Sequence, residues 1–174
     1  MPDWQADWEY LWGLEPITES IQVMGVSLVT LQWDNEQQVA DIPLTASGFL
    51  DSASGFETSV TISLFTWARA NEQDPKIVGQ RFGWWGDTFA PNAGDKIGSR
   101  LWTLRRAKVN TDTLGKCKAY CLEALQWMLD DGVAKSISVE AELYDTTTIA
   151  VKVSIVRKQG GRWDGVWSVN LNEI

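Results

Sequence analysis

Three carboxylates, Glu57, Asp87 and Asp95, are the candidates for acid–base chemistry in this chain. Hydrolysis of a glycoside requires two carboxyl groups at a defined separation, one of them with a raised pKa. The spacing of these residues singles out no such pair. The chain also contains no histidine, which excludes Ser–His and Cys–His nucleophile pairs and removes the commonest metal ligand. The sequence therefore predicts a protein that is not an enzyme and that holds no metal or cofactor.

The two cysteines, Cys117 and Cys121, lie four residues apart in a segment that predicts a helix. That spacing is a poor geometry for a disulfide, so we expect two small buried side chains in a protein made in a reducing cytoplasm. No apolar run approaches the ~20 residues of a membrane-spanning helix. The acidic start of the chain, which has no basic region, is unlike a signal peptide.

Charge is unevenly distributed along the 174 residues. The net charge of −8 argues against nucleic acid as a partner. Residues 1–75 carry a net charge of −11, and residues 76–174 carry +3. Such a bipolar chain can be oriented head to tail against neighbours of matching polarity, unless folding mixes the two regions.

The most distinctive segment is Arg81-Phe82-Gly83-Trp84-Trp85-Gly86-Asp87, which is followed by Gly98-Ser99-Arg100-Leu101-Trp102. Glycine permits backbone conformations and close approaches that are closed to other residues, and tryptophan offers the largest apolar side chain. We therefore expect an ordered loop, within residues 76–99, that packs against something large. One of the two adjacent tryptophans is expected to pack on the core.

Hydrophobic periodicity predicts an α+β fold, in which helices pack on one face of an antiparallel sheet. Apolar stripes predict helices at 57–70 and 111–131, and a short basic helix is expected at 100–108. Alternating or β-branched residues predict the following strands: 20–33, 39–44, 137–143, 149–155 and 167–171.

Residues 1–30 are expected to form a tryptophan-rich extension, and residues 31–174 a single α+β domain. Trp4, Trp8 and Trp12 recur every four residues, which places them along one face of a helix. The extension is either an amphipathic helix or arm that docks on a partner, or an arm folded back on its own core. The sequence leaves both interpretations open.

The order of these motifs resembles the Mu-type tailed-phage family of small baseplate wedge proteins. The resemblance covers roughly residues 31–158, and its most specific parts are Gly83-Trp84-Trp85-Gly86-Asp87 and the Gly132-Val133-Ala134 after the long helix. That family looks like the lysozyme-like wedge proteins of other contractile tails and of type VI secretion baseplates. Those proteins carry a Glu-Pro-Arg type motif after their long helix, whereas this chain has Asp130-Asp131-Gly132, so that contact does not transfer.

The resemblance implies a wedge fold and a structural role in the virion, in the baseplate of a contractile tail assembled in the host cytoplasm. The implied partners are other wedge proteins and the tail sheath and tube-associated proteins, and any oligomer forms only within the assembled tail. Membranes and nucleic acid are not expected as partners. The resemblance also implies a strand edge on which the first ring of sheath assembles.

Two regions are expected to make these contacts, the tryptophan segment and the C-terminal hairpin. The hairpin, residues 149–157 and 166–171, is the candidate for donating or accepting a strand, unless it is a central, fully paired strand. Deletion of residues 159–174 is then expected to leave a folded protein that fails to nucleate sheath. The predicted interface residues are Arg81, Trp84, Trp85, Asp87, Arg100, Trp102, Ile149, Val151, Val153, Ile155, Trp167 and Val169.

The sequence leaves two other functions open. The lysozyme-like relation allows a peptidoglycan-degrading glycosidase built on Glu57, Asp87 or Asp95. The eleven tryptophans also allow a carbohydrate-binding module, because indole rings stack on sugars. The tryptophans are, however, spread over predicted helices, loop and strands rather than concentrated on one sheet face.

Overall fold

The computed structural model describes residues 31–42, 55–74, 81–90 and 94–174. Two short 3₁₀ turns, Trp85–Phe89 and Leu101–Leu104, accompany the regular elements. Those elements are β1 Gln32–Asp34, β2 Val39–Asp41, α1 Gly55–Phe65, α2 Thr111–Asp130, β3 Ala134–Leu143, β4 Thr148–Arg157 and β5 Arg162–Asn170. The predicted α+β class is confirmed. The tryptophans of residues 1–30 and the strand prediction at 20–30 lie outside the described residues.

Helix α2 forms where its local signals predict it. The Asn110 side chain accepts a hydrogen bond from the Thr113 amide at 2.8 Å, which satisfies one of the unpaired donors of the first turn. Gly132 ends the helix with a φ of +68°, a conformation that favours glycine. Cys117 and Cys121 are buried free thiols, as predicted. Their mutual hydrogen bond and burial raise the pKa of Cys121, so this thiol stays protonated.

Helix α1 ends at Phe65, so its predicted extension to residue 70 is wrong. The backbone of the next residues pairs instead with a distant segment in a short parallel bridge. The Ser99 amide donates to the Thr66 carbonyl at 2.8 Å, and the Ala68 amide donates to the Ser99 carbonyl at 2.9 Å. Gly98 makes this approach possible, because a Cβ at that position would lie 2.4 Å from the Thr66 carbonyl oxygen.

The predicted basic helix at 100–108 is also wrong in extent, since only Leu101–Leu104 forms a 3₁₀ turn. All four residues of that turn are buried. Arg105 and Arg106 follow it and are exposed. The conformation of this segment is therefore determined by burial of Leu101–Leu104, and not by a helix with an exposed basic face.

The larger sheet has the strand order β3-β4-β5, and both pairings are antiparallel. Alternate residues of β4 share one buried cluster with the apolar stripe of α2, as the predicted period of two requires. Helix α1 packs on the same side, where the Phe65 ring meets that of Trp167 edge to face at 6.3 Å. The other side is polar, with Glu140 and Lys152 3.9 Å apart. The helices thus cover one face of the sheet, as predicted.

Strands β1 and β2 form a separate antiparallel hairpin beside β5. The Trp33 ring stacks on Phe65 with centroids 3.6 Å apart, which attaches the hairpin to α1. The Leu31 amide adds a hydrogen bond to the Thr58 hydroxyl at 3.1 Å. Of the helices that the structure describes, none is long and apolar enough to cross a membrane.

Candidate protein–protein interface

Large aromatic rings are exposed around the double tryptophan. Trp85 is 73% exposed, Phe89 76% and Trp84 40%. The Trp85 ring contacts that of Trp84 at 5.8 Å and that of Phe89 at 6.2 Å. Together with the exposed Trp67 and Phe82, these residues form what we call the aromatic surface. Exposed apolar side chains in such numbers are typical of a protein interaction site.

Trp102 lies beneath the aromatic surface and belongs to the core. Its ring is 5.5 Å from that of Trp67 and 5.3 Å from that of Phe82. Only 3% of the residue is exposed, and its indole N–H donates to the Ala68 carbonyl at 2.7 Å. The prediction of Trp102 as an interface residue is therefore wrong, because contacts within the chain bury its side chain.

The tryptophan segment is ordered by its own chain. The Ala70 amide donates to the Arg81 carbonyl at 3.0 Å. The Trp84 ring lies over Gly86 so closely that a Cβ there would be 2.3 Å from it. Asp87 accepts a hydrogen bond from the Ile97 amide at 3.0 Å. Asp87 therefore structures the loop, while the exposed rings stay available to a partner.

Arg100 ties this region to α2. Its guanidinium donates to both carboxylate oxygens of Asp74, at 2.7 and 2.8 Å, and also to Glu123. It lies 4.3 Å above the Tyr120 ring, and the Tyr120 hydroxyl donates to Asp74 at 2.7 Å. Arg100 is thus engaged within the chain, and its role as an interface residue stays a prediction. The Arg81 side chain makes an exposed ion pair with Glu72 at 3.1 Å, which contributes little to stability.

The same network makes stability depend on pH through Asp74. Burial favours a higher pKa for this carboxyl, but hydrogen bonds from Arg100, Tyr120 and the Asn71 amide outweigh it, and the pKa of Asp74 is lowered. A carboxylate whose pKa lies below its ordinary 3.8 contributes stability above that pH. The contribution is lost as pH falls through the lowered pKa.

We expect Asp74→Asn to lower the free energy of unfolding by about 1.5–3 kcal/mol at neutral pH, because hydrogen bonds to a charged group are lost. Well below pH 3.8 the difference from the parent protein shrinks. Urea unfolding across this pH range measures both effects. Glu72→Gln is the control, since this carboxylate is exposed. An equal acid dependence in Asp74→Asn and in the parent protein contradicts the assignment.

The structure corrects the expectation that residues 149–157 offer a free strand edge. Strand β4 is central and pairs with β3 on one side and β5 on the other, which is the alternative that the sequence left open. The side chains of the hairpin's predicted interface residues are all buried: Ile149, Val151, Val153, Ile155, Trp167 and Val169. These residues therefore hold the core together.

No strand among the described residues pairs with the outer edge of β3. The Tyr144 amide donates to the Thr148 carbonyl of the facing strand, so the peptide groups of even-numbered residues point toward β4. Because this direction alternates along the strand, the N–H and C=O groups of odd-numbered residues point away from β4. These residues are Ile137, Val139, Ala141 and Leu143. None of the described residues makes a hydrogen bond to these outward groups. We call this row the β3 edge.

The outer edge of β5 is closed over part of its length by the turn between β1 and β2. The Ser168 amide donates to the Asn35 side-chain oxygen at 2.7 Å, and the Asn170 amide donates to that of Gln38 at 2.8 Å. The Gln38 amide nitrogen donates in turn to the Ser168 carbonyl at 2.9 Å. These two side chains occupy the positions of a neighbouring strand, and we call them the β5 cap.

Sequence reasoning missed the β3 edge, the β5 cap and Phe89. Alternation identified residues 137–143 as a strand, but a period of two carries no information on strand order. The signal for Phe89 was its place just after the tryptophan segment. Nothing local marks Asn35 and Gln38, because their partners lie more than 130 residues away along the chain.

No described contact brings Glu57 and Asp87 together, two of the carboxylates considered for catalysis. Asp87 binds a backbone amide, and Glu57 lies in the first turn of α1. Among the residues that the structure describes, no three His, Cys, Asp or Glu side chains cluster as metal ligands do. The described features that suit a protein contact are the exposed rings of the aromatic surface and the outward peptide groups of the β3 edge.

Comparisons with known proteins agree on one family. The model of a family described as phage protein GP46 matches residues 56–162. The chain is 38% identical over 136 residues to the Mu-like prophage FluMu protein gp46 of Haemophilus influenzae, which covers 78% of this chain and 90% of that protein. It is 46% identical over 87 residues to baseplate protein gp46 of Escherichia phage Mu, covering 49% of this chain and 58% of that protein.

Proposed function

Because the chain belongs to the phage protein GP46 family, and baseplate protein gp46 of phage Mu is among its relatives, we propose that it is a wedge subunit of a contractile-tail baseplate. Its general role is that of a structural component of a phage baseplate. The finer proposal is that the β3 edge initiates sheath assembly by accepting a strand of a sheath subunit. The subunit takes its place in the virion tail after assembly in the host cytoplasm.

The observation that carries this proposal is the β3 edge, which no strand of the described residues covers. It presents outward peptide groups on alternate residues of β3, whose pairing with β4 is regular from Ser136 to Leu143. Addition of a strand satisfies such groups with main-chain hydrogen bonds and joins two proteins through backbone pairing. The other edge of the same sheet is partly closed by the β5 cap, which favours β3 as the place of addition.

The aromatic surface provides the second contact in this proposal. Trp84 and Trp85, with Phe89 beside them, anchor a neighbouring baseplate subunit, in the way that aromatic side chains dominate many protein interfaces. Arg81 lies at the start of the same segment and is exposed to a partner. The partners proposed are other wedge proteins, together with the tail sheath and tube-associated proteins.

Ala141→Pro tests the β3 edge with little change to the fold. Proline removes the outward amide hydrogen of Ala141, which has no partner in the described chain, and edge strands tolerate proline at such positions. We expect the variant to enter baseplates but to reduce sheathed tails by about tenfold or more, since the added strand loses a hydrogen bond and meets the proline ring. Electron microscopy of tails, with immunodetection of the subunit, measures both quantities.

Val166→Pro is the matched control, because the same alternation turns the Val166 amide toward the outer edge of β5. This variant is expected to form sheathed tails normally. Thermal melting checks that both variants fold. Normal sheath on baseplates containing Ala141→Pro refutes strand addition at β3.

A further inference from the structure

The side chains flanking the β3 edge indicate what kind of strand it accepts. Building on the proposed function, we infer that the partner strand alternates between apolar and basic residues. The inference rests on the two faces of β3, which present opposite chemistry to a neighbouring strand. It also rests on the charge that this edge leaves unbalanced.

The solvent-facing side of β3 is acidic toward the end of the strand, whereas Lys135 is exposed at its start. Glu140 and Glu142 are exposed on this face, which the even-numbered residues share. Lys152 of β4 lies 3.9 Å from Glu140, whereas Glu142 has no ion-pair partner among the described residues. Residues of opposite charge on neighbouring strands attract, and like charges repel. Lysine or arginine on the incoming strand therefore suits this face.

The helix-facing side of β3 is apolar. Val139 is buried there, Ile137 and Ala141 are half-buried, and Leu143 is exposed at the end of the strand. An incoming strand places every second side chain beside this row. Apolar residues at those positions extend the core and cover Leu143. A strand with one apolar and one basic face matches both sides at once.

The same features exclude other occupants of the sheet edges. Two copies of this chain pairing through β3 bring acidic residues against each other, which opposes self-association. On β5, the β5 cap occupies Ser168 and Asn170. The part of β5 beyond the cap carries Arg162, which donates to Asp164 at 3.0 Å, so this ion pair leaves no excess negative charge to attract a basic strand. A basic strand is therefore expected to pair with β3 rather than with β5.

Synthetic strands test this inference on the purified full-length chain. Two peptides of about nine residues, one alternating valine and lysine and one alternating valine and glutamate, cover the length of a typical strand. N-methylation along one edge prevents each peptide from pairing with itself. We expect the lysine peptide to bind with a Kd about tenfold lower than the glutamate peptide. Amide hydrogen exchange is expected to slow at Val139, Ala141 and Leu143.

Charge reversal supplies the matched variant. Glu140→Lys combined with Glu142→Lys changes only exposed side chains, and thermal melting checks its fold. This variant is expected to prefer the glutamate peptide. Equal affinities, slowed exchange at Arg162, Asp164 and Val166 instead, or no binding by either peptide overturns the inference. The sheath test of Ala141→Pro is independent, so a loss of charge preference leaves the proposed function standing.

Discussion

Replacement of Trp102 by alanine is expected to lower the free energy of unfolding by about 3–5 kcal/mol, the cost of removing a buried aromatic side chain. The rings of Trp67 and Phe82 pack on the Trp102 indole, with centroid separations of 5.5 and 5.3 Å. Its N–H bond to the Ala68 carbonyl also fixes the chain after α1. Alanine leaves a cavity and an unpaired carbonyl. Urea unfolding of the purified protein measures the loss.

Trp85→Ala is the matched control, because it removes the same side chain from a site that is 73% exposed. Its effect on stability is expected to stay within about 0.5 kcal/mol. Its incorporation into baseplates, measured by co-purification with neighbouring tail proteins, is expected to fall. If Trp85→Ala destabilises the protein as much as Trp102→Ala does, the aromatic surface belongs to the core and the interface proposal fails.

Deletion of residues 159–174 is expected to abolish cooperative unfolding. The deletion removes β5 and with it three buried side chains, those of Trp167, Val169 and Leu171. Burial of these groups contributes about 5–9 kcal/mol, comparable with the whole stability of a small domain. The deletion also leaves β4 without β5, the strand that forms hydrogen bonds with one of its two edges. Circular dichroism, in the far and near ultraviolet during heating, measures the loss of a transition.

The sequence alone led to the opposite expectation, that the protein lacking residues 159–174 stays folded. The shorter deletion of Glu173 and Ile174 is the control, because it keeps β5 and Leu171 in place. It is expected to unfold cooperatively. A sharp transition in the protein lacking residues 159–174 shows instead that β3, β4 and the helices suffice for folding.

Local signals predicted the elements that depend on neighbouring residues. The cap at Asn110, the stripe containing Cys117 and Cys121, and the glycine at 132 all act within a few residues of the helix they delimit. Helix α1 was predicted too long because its end depends on Ser99, which lies far along the chain. Helix propensity depends on local sequence and therefore cannot predict a pairing with a distant residue.

By itself, the sequence determined the α+β class, the buried face of β3, β4 and β5, and the presence of an ordered glycine–tryptophan segment, because each follows from periodicity or residue type. Only the tertiary structure decided which strand is central and which tryptophan is buried. Strands β3 and β4 alternate alike, and Trp85 and Trp102 are chemically identical. Their positions depend on contacts between segments far apart along the chain, such as those of β4 with both neighbours and of Trp102 with Ala68.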